Sequence, residues 1–272
     1  MFDDQDGIGT LTGGNMGLNP AANPVRSMTQ QEHEFLRLPP HLIFASGLFQ
    51  ARYLRRRQAL SSVQVQSTCS ARSLSYSGES LDQFDLDVYL ACARYAPRQV
   101  NPVPAALKVD LSATARTLLR AATTPAKQRV LGALRRLEAA RIRVSDSRFT
   151  YDLQPMHKVL HDSKTDRCLV ELNPEILRSL QSVGNLNIFI NDRFRLGMKG
   201  VDRWLHAVLH FSPGLCIPFG GLAGLAGNAE MPPRQLEETL RRLQDVVRPD
   251  ELNLGKHGLE ISRTAPAARR PS

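Results

Sequence analysis

The chain has 272 residues, 42% of them hydrophobic, which is enough for two domains of about 100 to 200 residues each. Its 35 Lys and Arg against 26 Asp and Glu give a formal net charge of +9, which favours polyanionic partners: nucleic acid or an acidic membrane surface. No apolar run reaches the roughly 18 residues of a membrane span, and the acidic start Met1-Phe2-Asp3-Asp4 is unlike a secretion signal, so a cytoplasmic protein without a membrane partner is expected. Cys69, Cys92, Cys168 and Cys216 have the spacing of neither a disulfide framework nor a zinc site and read as reduced, mostly buried small residues.

Residues 1–34 hold too little apolar area to offset the entropy of ordering and read as a flexible tail. Apolar patches follow at Leu42-Ile43-Phe44 and Leu48-Phe49, and Arg52, Arg55, Arg56 and Arg57 then form a basic run, suited either to phosphates or to a solvated edge. Alternation at Val63-Gln64-Val65-Gln66 and Ser73-Leu74-Ser75-Tyr76 predicts a hairpin. Leu81, Phe84, Val88, Leu90, Cys92 and Tyr95 recur close to helical spacing, with Asp82, Asp85 and Asp87 near the positive helix end and Pro97 as the stop.

A second helix is expected from Leu111, capped by Ser112, and a third from Pro125 to Ala140, capped by Thr124. Ile142 to Val144, Phe149 to Leu153, Met156 to Leu160 and Cys168 to Leu172 then read as antiparallel strands. Three helices followed by a β-ribbon is the order of a winged helix. The order recurs with helices at Val201 to Phe211, Phe219 to Gly227 and Pro232 to Val247, and strands at Leu252 to Leu254 and Leu259 to Ile261. The expectation is an α+β chain of two tandem winged-helix domains, 35–175 and 176–262, with a basic tail at 263–272.

At about 3.6 residues per turn the third helix has an apolar side, Val130, Leu131, Leu134 and Leu137, and a polar one, Gln128, Arg129, Gly132, Arg135 and Arg136. Arg and Gln suit guanine and adenine edges, Gly132 permits close approach, and Thr124 and Lys127 at the N-terminus suit phosphate. A solvated Arg-rich face is the alternative. On the last helix Arg234, Arg241 and Arg242 are weaker candidates because Glu238 and Asp245 share their side.

No enzyme, metal or cofactor is expected. His206 and His210 lie four apart on a helix but lack the Glu of a metalloprotease motif and an evident third ligand, while His157 and His161 on a strand would stand about 13 Å apart. Gly220 to Gly227 is glycine-rich, but no Gly-Lys-Ser/Thr follows and no clear strand precedes it, so close packing explains it better than a nucleotide loop.

The segment Tyr76-Ser77-Gly78-Glu79-Ser80-Leu81-Asp82-Gln83-Phe84-Asp85-Leu86-Asp87-Val88-Tyr89 resembles the Tyr-Thr-Gly-x-x-Leu start and acidic helix of TrfA-type plasmid replication initiators. Ala45-Ser46-Gly47-Leu48-Phe49 is similar to that family's Arg-Ser-x-Leu-Phe stretch, and Leu131 to Leu137 leading into Ala140-Arg141-Ile142 to its Leu-x-x-Leu helix. The resemblance spans Leu38 to Ile261. It implies a protein that binds double-stranded origin repeats (iterons), opens an AT-rich region, recruits host helicase and polymerase machinery, and exchanges between active monomer and homodimer. Two departures stand out: Gln31-Glu32-His33-Glu34-Phe35-Leu36 carries charge where the family's sliding-clamp motif has an apolar anchor, and the N-terminal region is short. A transcriptional repressor of the same architecture, a basic membrane-peripheral protein and an enzyme using His206 and His210 are the other classes open to such a sequence.

Overall fold

The computed structural model describes residues 37–68, 71–96, 106–182, 185–212, 216–227, 232–244, 252–254 and 258–261. Both expected tails, the segment from Gln31 to Leu36, Cys69, Pro97 and the Gly255-Lys256-His257 turn lie outside the described residues.

A short helix α1 (Pro40–Phe44) forms where the sequence offered only an apolar patch, with Pro in its first turn, where no N–H is needed. Strand β1 (Phe49–Gln50) later pairs with β4 (Leu81–Asp82) in parallel. The expected hairpin is β2 (Ala59–Val65) and β3 (Ser73–Glu79), antiparallel with Val63 opposite Tyr76 and a bulge between Leu60 and Val63. Helix α2 (Gln83–Ala93) starts with a reciprocal cap: Asp82 accepts from the Phe84 and Asp85 amides, and Asp85 accepts from the Asp82 amide. All its residues except Ala91 are buried, so it is a central helix rather than a one-sided amphipath, and Tyr95, expected on its buried side, is 78% exposed beyond its end.

Strand β5 (Ala106–Asp110) was not anticipated and supplies the cap of α3 (Leu111–Leu119): Asp110 Oδ1 accepts from the Ala113 amide at 2.8 Å, in place of Ser112. The cap of α4 (Thr124–Ala139) also falls earlier than expected, by one residue, at Thr123, and Thr124 is the first helical residue. Strands β6 (Arg141–Ser145), β7 (Thr150–Leu153), β8 (Met156–Asp162) and β9 (Arg167–Leu172) then follow, but not as one ribbon. One sheet has the order β2-β3-β6-β7 and another β5-β9-β8. The division falls at Gln154-Pro155, where Pro155 has no N–H with which to extend a ladder.

Two helices missing from the sequence reading come next, α5 (Pro174–Gln181) capped by Asn173 and α6 (Leu186–Arg195) capped by Asn185. They lead into α7 (Gly200–Phe211), β10 (Cys216–Pro218), α8 (Phe219–Leu225), α9 (Pro233–Gln244), β11 (Leu252–Leu254) and β12 (Gly258–Ile261). The last sheet has the order β10-β12-β11. The fold is α+β with open sheets. In both halves a strand, then two helices, then two later strands give a three-stranded sheet whose last strand is central; sheet order thus repeats, while β6 and β7, which join the other sheet, interrupt the element order between α4 and β8.

One apolar core joins these elements. Helix α1 packs on α5 and α7, and α2 packs on α3, α4 and α7. Phe44 contacts Tyr89 and Phe211 at ring distances of 6.0 and 5.1 Å, and Trp204 is fully buried. Cys92 and Cys168 are buried free thiols, as expected; the Cys216 side chain is outside the described residues.

Candidate nucleic-acid interface

Helix α4 buries Ala126, Val130, Ala133, Leu134 and Leu137. Thr124, Gln128, Arg135 and Ala139 are exposed, with Gly132 half-buried among them, while Leu131, expected in the core, is only partly covered. The side chains between these faces are occupied by the rest of the fold. On the α2 side the Arg129 guanidinium lies 4.3 Å from the Phe84 ring centre and 5.9 Å from that of Tyr53, a cation–π contact at an exposed residue. Arg136, only 16% exposed, donates through Nε and Nη2 to Asp85 Oδ1 at 3.0 and 2.7 Å.

Asp85 also accepts from Arg57 at 2.8 Å, and the same guanidinium reaches Asp82 at 2.8 Å and the Ser80 carbonyl. Burial, then the neighbouring Asp82 carboxylate, pushes Asp85 up to about 6, while Arg136 and Arg57 pull it the other way. Arg57 of the basic run is therefore neither solvated nor aimed at a partner. Arg55 and Arg56 are exposed, and Arg52 donates to Gln50.

On the opposite side α4 meets the β8–β9 hairpin. Lys127 pairs with Asp166 in the hairpin turn, and the Asp166 carbonyl accepts from the Leu111 amide at 3.1 Å. Arg135, 49% exposed, donates through Nη1 to Glu138 at 2.9 Å and to the Val159 carbonyl at 2.7 Å, and Glu138 Oε1 accepts from the Val159 amide at 2.8 Å. The helix thus presents Thr124, Gln128, Gly132 and Arg129 with little intramolecular polar bonding, whereas Lys127, Arg135 and Arg136 are all engaged within the chain. Asp85, Glu138 and Asp166, which do this, were not among the sequence candidates. Asp85 carried a signal in the capping-box spacing from Asp82, and Glu138 in its three-residue spacing from Arg135 on one helix.

On α9, Arg234 pairs with Glu238 at 3.1 Å and Arg241 with Glu237 at 2.6 Å, both on the surface. The Arg242 side chain lies outside the described residues. His157 is exposed on β8, whereas His206 and His210 stack on Phe189 at 4.8 and 4.3 Å. Burial first, then Arg193, His210 and Arg203, holds His206 down at about 3. Among the described residues no three His, Cys, Asp or Glu side chains gather where they could hold a metal ion, and no helix is long and apolar enough to cross a membrane. The glycine-rich stretch is α8, which a short strand does precede. A Cβ at Gly224 would fall 2.0 Å from Gln66 Oε1, so that glycine serves close packing, whereas at Gly221 nothing would lie nearer than 3.9 Å.

With that topology in place, the solved structures give a match. The fold resembles domains 2 and 3 of RctB. A crystal structure of those domains aligns with a TM-score of 0.52 at 11% identity, covering 84% of this chain and 100% of that one. A second structure, RctB residues 155–483, aligns with a TM-score of 0.46 at 10% identity, covering 81% and 96%. No family model and no curated protein matches the sequence.

Proposed function

We propose that the chain is a non-catalytic plasmid replication initiator that binds repeated origin DNA through two winged-helix units. The observation that carries this is the repeated sheet order, β5-β9-β8 around α3 and α4 and β10-β12-β11 around α8 and α9. In a winged helix the last helix before the hairpin enters the major groove and the hairpin lies along the backbone. In the first unit that helix is α4, whose outward face offers the Gln128 carboxamide, the Arg129 guanidinium and a glycine.

On this reading Gln128 and Arg129 contact base edges, Gly132 admits a close approach, and Thr124 lies on phosphate at the helix N-terminus. Arg135 and Lys127 flank the same surface from their ion pairs, and Arg136 supports it from within. Arg234, Arg241 and Arg242 serve the second unit. RctB is a replication initiator of a Vibrio chromosome, and the likeness of fold supports an initiator role here. Iteron binding, origin opening, contact with host helicase and polymerase machinery, and a monomer–dimer equilibrium follow from the resemblance to TrfA-type initiators.

The test is a Gln128→Ala, Arg129→Ala double variant, with folding checked by circular dichroism. Loss of roughly 1 to 3 kcal/mol per base contact and relaxed specificity are expected. Unchanged binding by the folded variant removes the proposal. A small plasmid carrying the gene and its flanking DNA separates initiation from repression, since only an initiator sustains its replication.

A further inference from the structure

Strand β8 is an edge of its sheet, and an edge strand carries backbone groups that no neighbouring strand satisfies. At Val159 both groups are taken by α4: Glu138 Oε1 accepts from the amide at 2.8 Å and Arg135 Nη1 donates to the carbonyl at 2.7 Å. Arg135 and Glu138 are themselves paired at 2.9 Å, so the two side chains form a bracket around one peptide position. At the far end of the hairpin Lys127 pairs with Asp166, whose carbonyl also receives the Leu111 amide. The hairpin is therefore fastened to α4 near both ends of the helix.

A carboxylate beside a DNA-binding face is an electrostatic liability, since it repels phosphate. Two are present here, and each holds a cation of the candidate interface in a defined place. We infer that Glu138 is a positioning residue: by bracketing Val159 it fixes the angle between α4 and the β8–β9 hairpin, so that both meet one duplex together. This rests on the DNA-binding role proposed above, and it makes Arg135 part of the bracket rather than a free base reader.

Electrostatics and positioning predict opposite signs, which makes the test sharp. Glu138→Gln and Glu138→Ala both remove the negative charge, but Gln keeps an oxygen that can accept from the Val159 amide. The probes are the tightest duplex that the full-length wild-type chain selects from a random-sequence pool, and a random duplex of equal length. For Glu138→Ala, binding to the selected duplex should fall roughly tenfold while binding to the random duplex holds or rises, and Glu138→Gln should stay within about twofold of wild type.

Amide exchange at Val159, followed by NMR without DNA, should be slow in wild type and Glu138→Gln and fast in Glu138→Ala. Equal tightening by both variants, or unaltered Val159 exchange in Glu138→Ala, overturns the inference. If wild type selects no sequence at all, DNA recognition is wrong, and Val159 exchange still decides whether Glu138 holds the strand.

Discussion

Arg193 Nε lies 2.7 Å from Asp87 Oδ1, with both side chains fully buried and 106 residues apart in the chain. Arg203 takes the other carboxylate oxygen, and Arg193 Nη2 donates to Gln83 at 2.6 Å. Burial draws Arg193 below its ordinary value and the Asp87 carboxylate counters this, so the pair is held by geometry rather than by easy solvation. Through these contacts α2 is joined to α6 and α7. Removing the carboxylate would leave two guanidinium groups buried without a counter-ion. Asp87→Ala should destabilise the chain by about 3 to 5 kcal/mol in a denaturant titration. A change below about 1 kcal/mol would show that the cluster contributes little.

Asp85 ties Arg57 and Arg136 to the start of α2 and lies behind the candidate interface, not on it. Asp85→Asn keeps one acceptor oxygen and loses the charge. A loss of about 1 to 3 kcal/mol in stability is expected from the weakened charge-assisted bonds. Specificity for a selected duplex, measured against random competitor, should be unchanged. Loss of specificity in a variant still folded would show that the interface depends on the buried Arg136–Asp85 pairing.

His206 is neutral in the folded chain and holds its proton far less readily there than when unfolded. Because its folded value, about 3, lies below the unfolded value of about 6.5, its contribution to stability is complete above about pH 6.5 and is lost as the pH falls toward 3. Each pH unit in that window costs up to about 1.4 kcal/mol. His206→Phe, which can keep the stack on Phe189, should flatten the stability difference between pH 6.5 and pH 4.5. Parallel pH profiles for the two proteins would contradict this.

Gly200 begins α7 where the chain crosses Ala51 and Arg52. A Cβ there would stand 2.7 Å from the Ala51 carbonyl oxygen and 2.7 Å from Arg52 Cα, both backbone atoms with little room to yield. Gly200→Ala should therefore cost about 1 to 3 kcal/mol, although alanine favours helix elsewhere. Gly224→Ala should cost less, because the atom it meets is the mobile end of Gln66. Thermal unfolding of the two variants side by side gives the order.

The elements around α4 were legible because they rest on local signals: Thr-Thr-Pro at a helix start, apolar spacing along 126–137, and alternation in the strands that follow. Which strands pair was not legible, since alternation marks the buried face of a strand but not its neighbour. That is why β6 and β7 left the expected ribbon for β3. The Asn173-Pro174 start of α5, with Ile176, Leu177 and Leu180 buried behind it, carried a readable cap that went unused. Helix α6 was masked for a physical reason, because one of its buried positions is Arg193, whose partner lies in α2. Of the candidate face, sequence separated apolar from polar sides correctly in the main. The three-residue spacing of Arg135 and Glu138 was a readable local pair, but the sequence gave no sign that Arg136 and Lys127 were held by Asp85 and Asp166, 51 and 39 residues away.

The measurement closest to the central claim is a binding titration of the full chain against the DNA flanking its own coding region, with random duplex as competitor, at several salt concentrations. Binding to direct repeats that resists competitor, and retains its preference as salt weakens the phosphate contacts, is the predicted result. Equal affinity for every duplex, vanishing with salt in the same way, would contradict recognition through α4 and leave only the attraction of a basic surface for a polyanion.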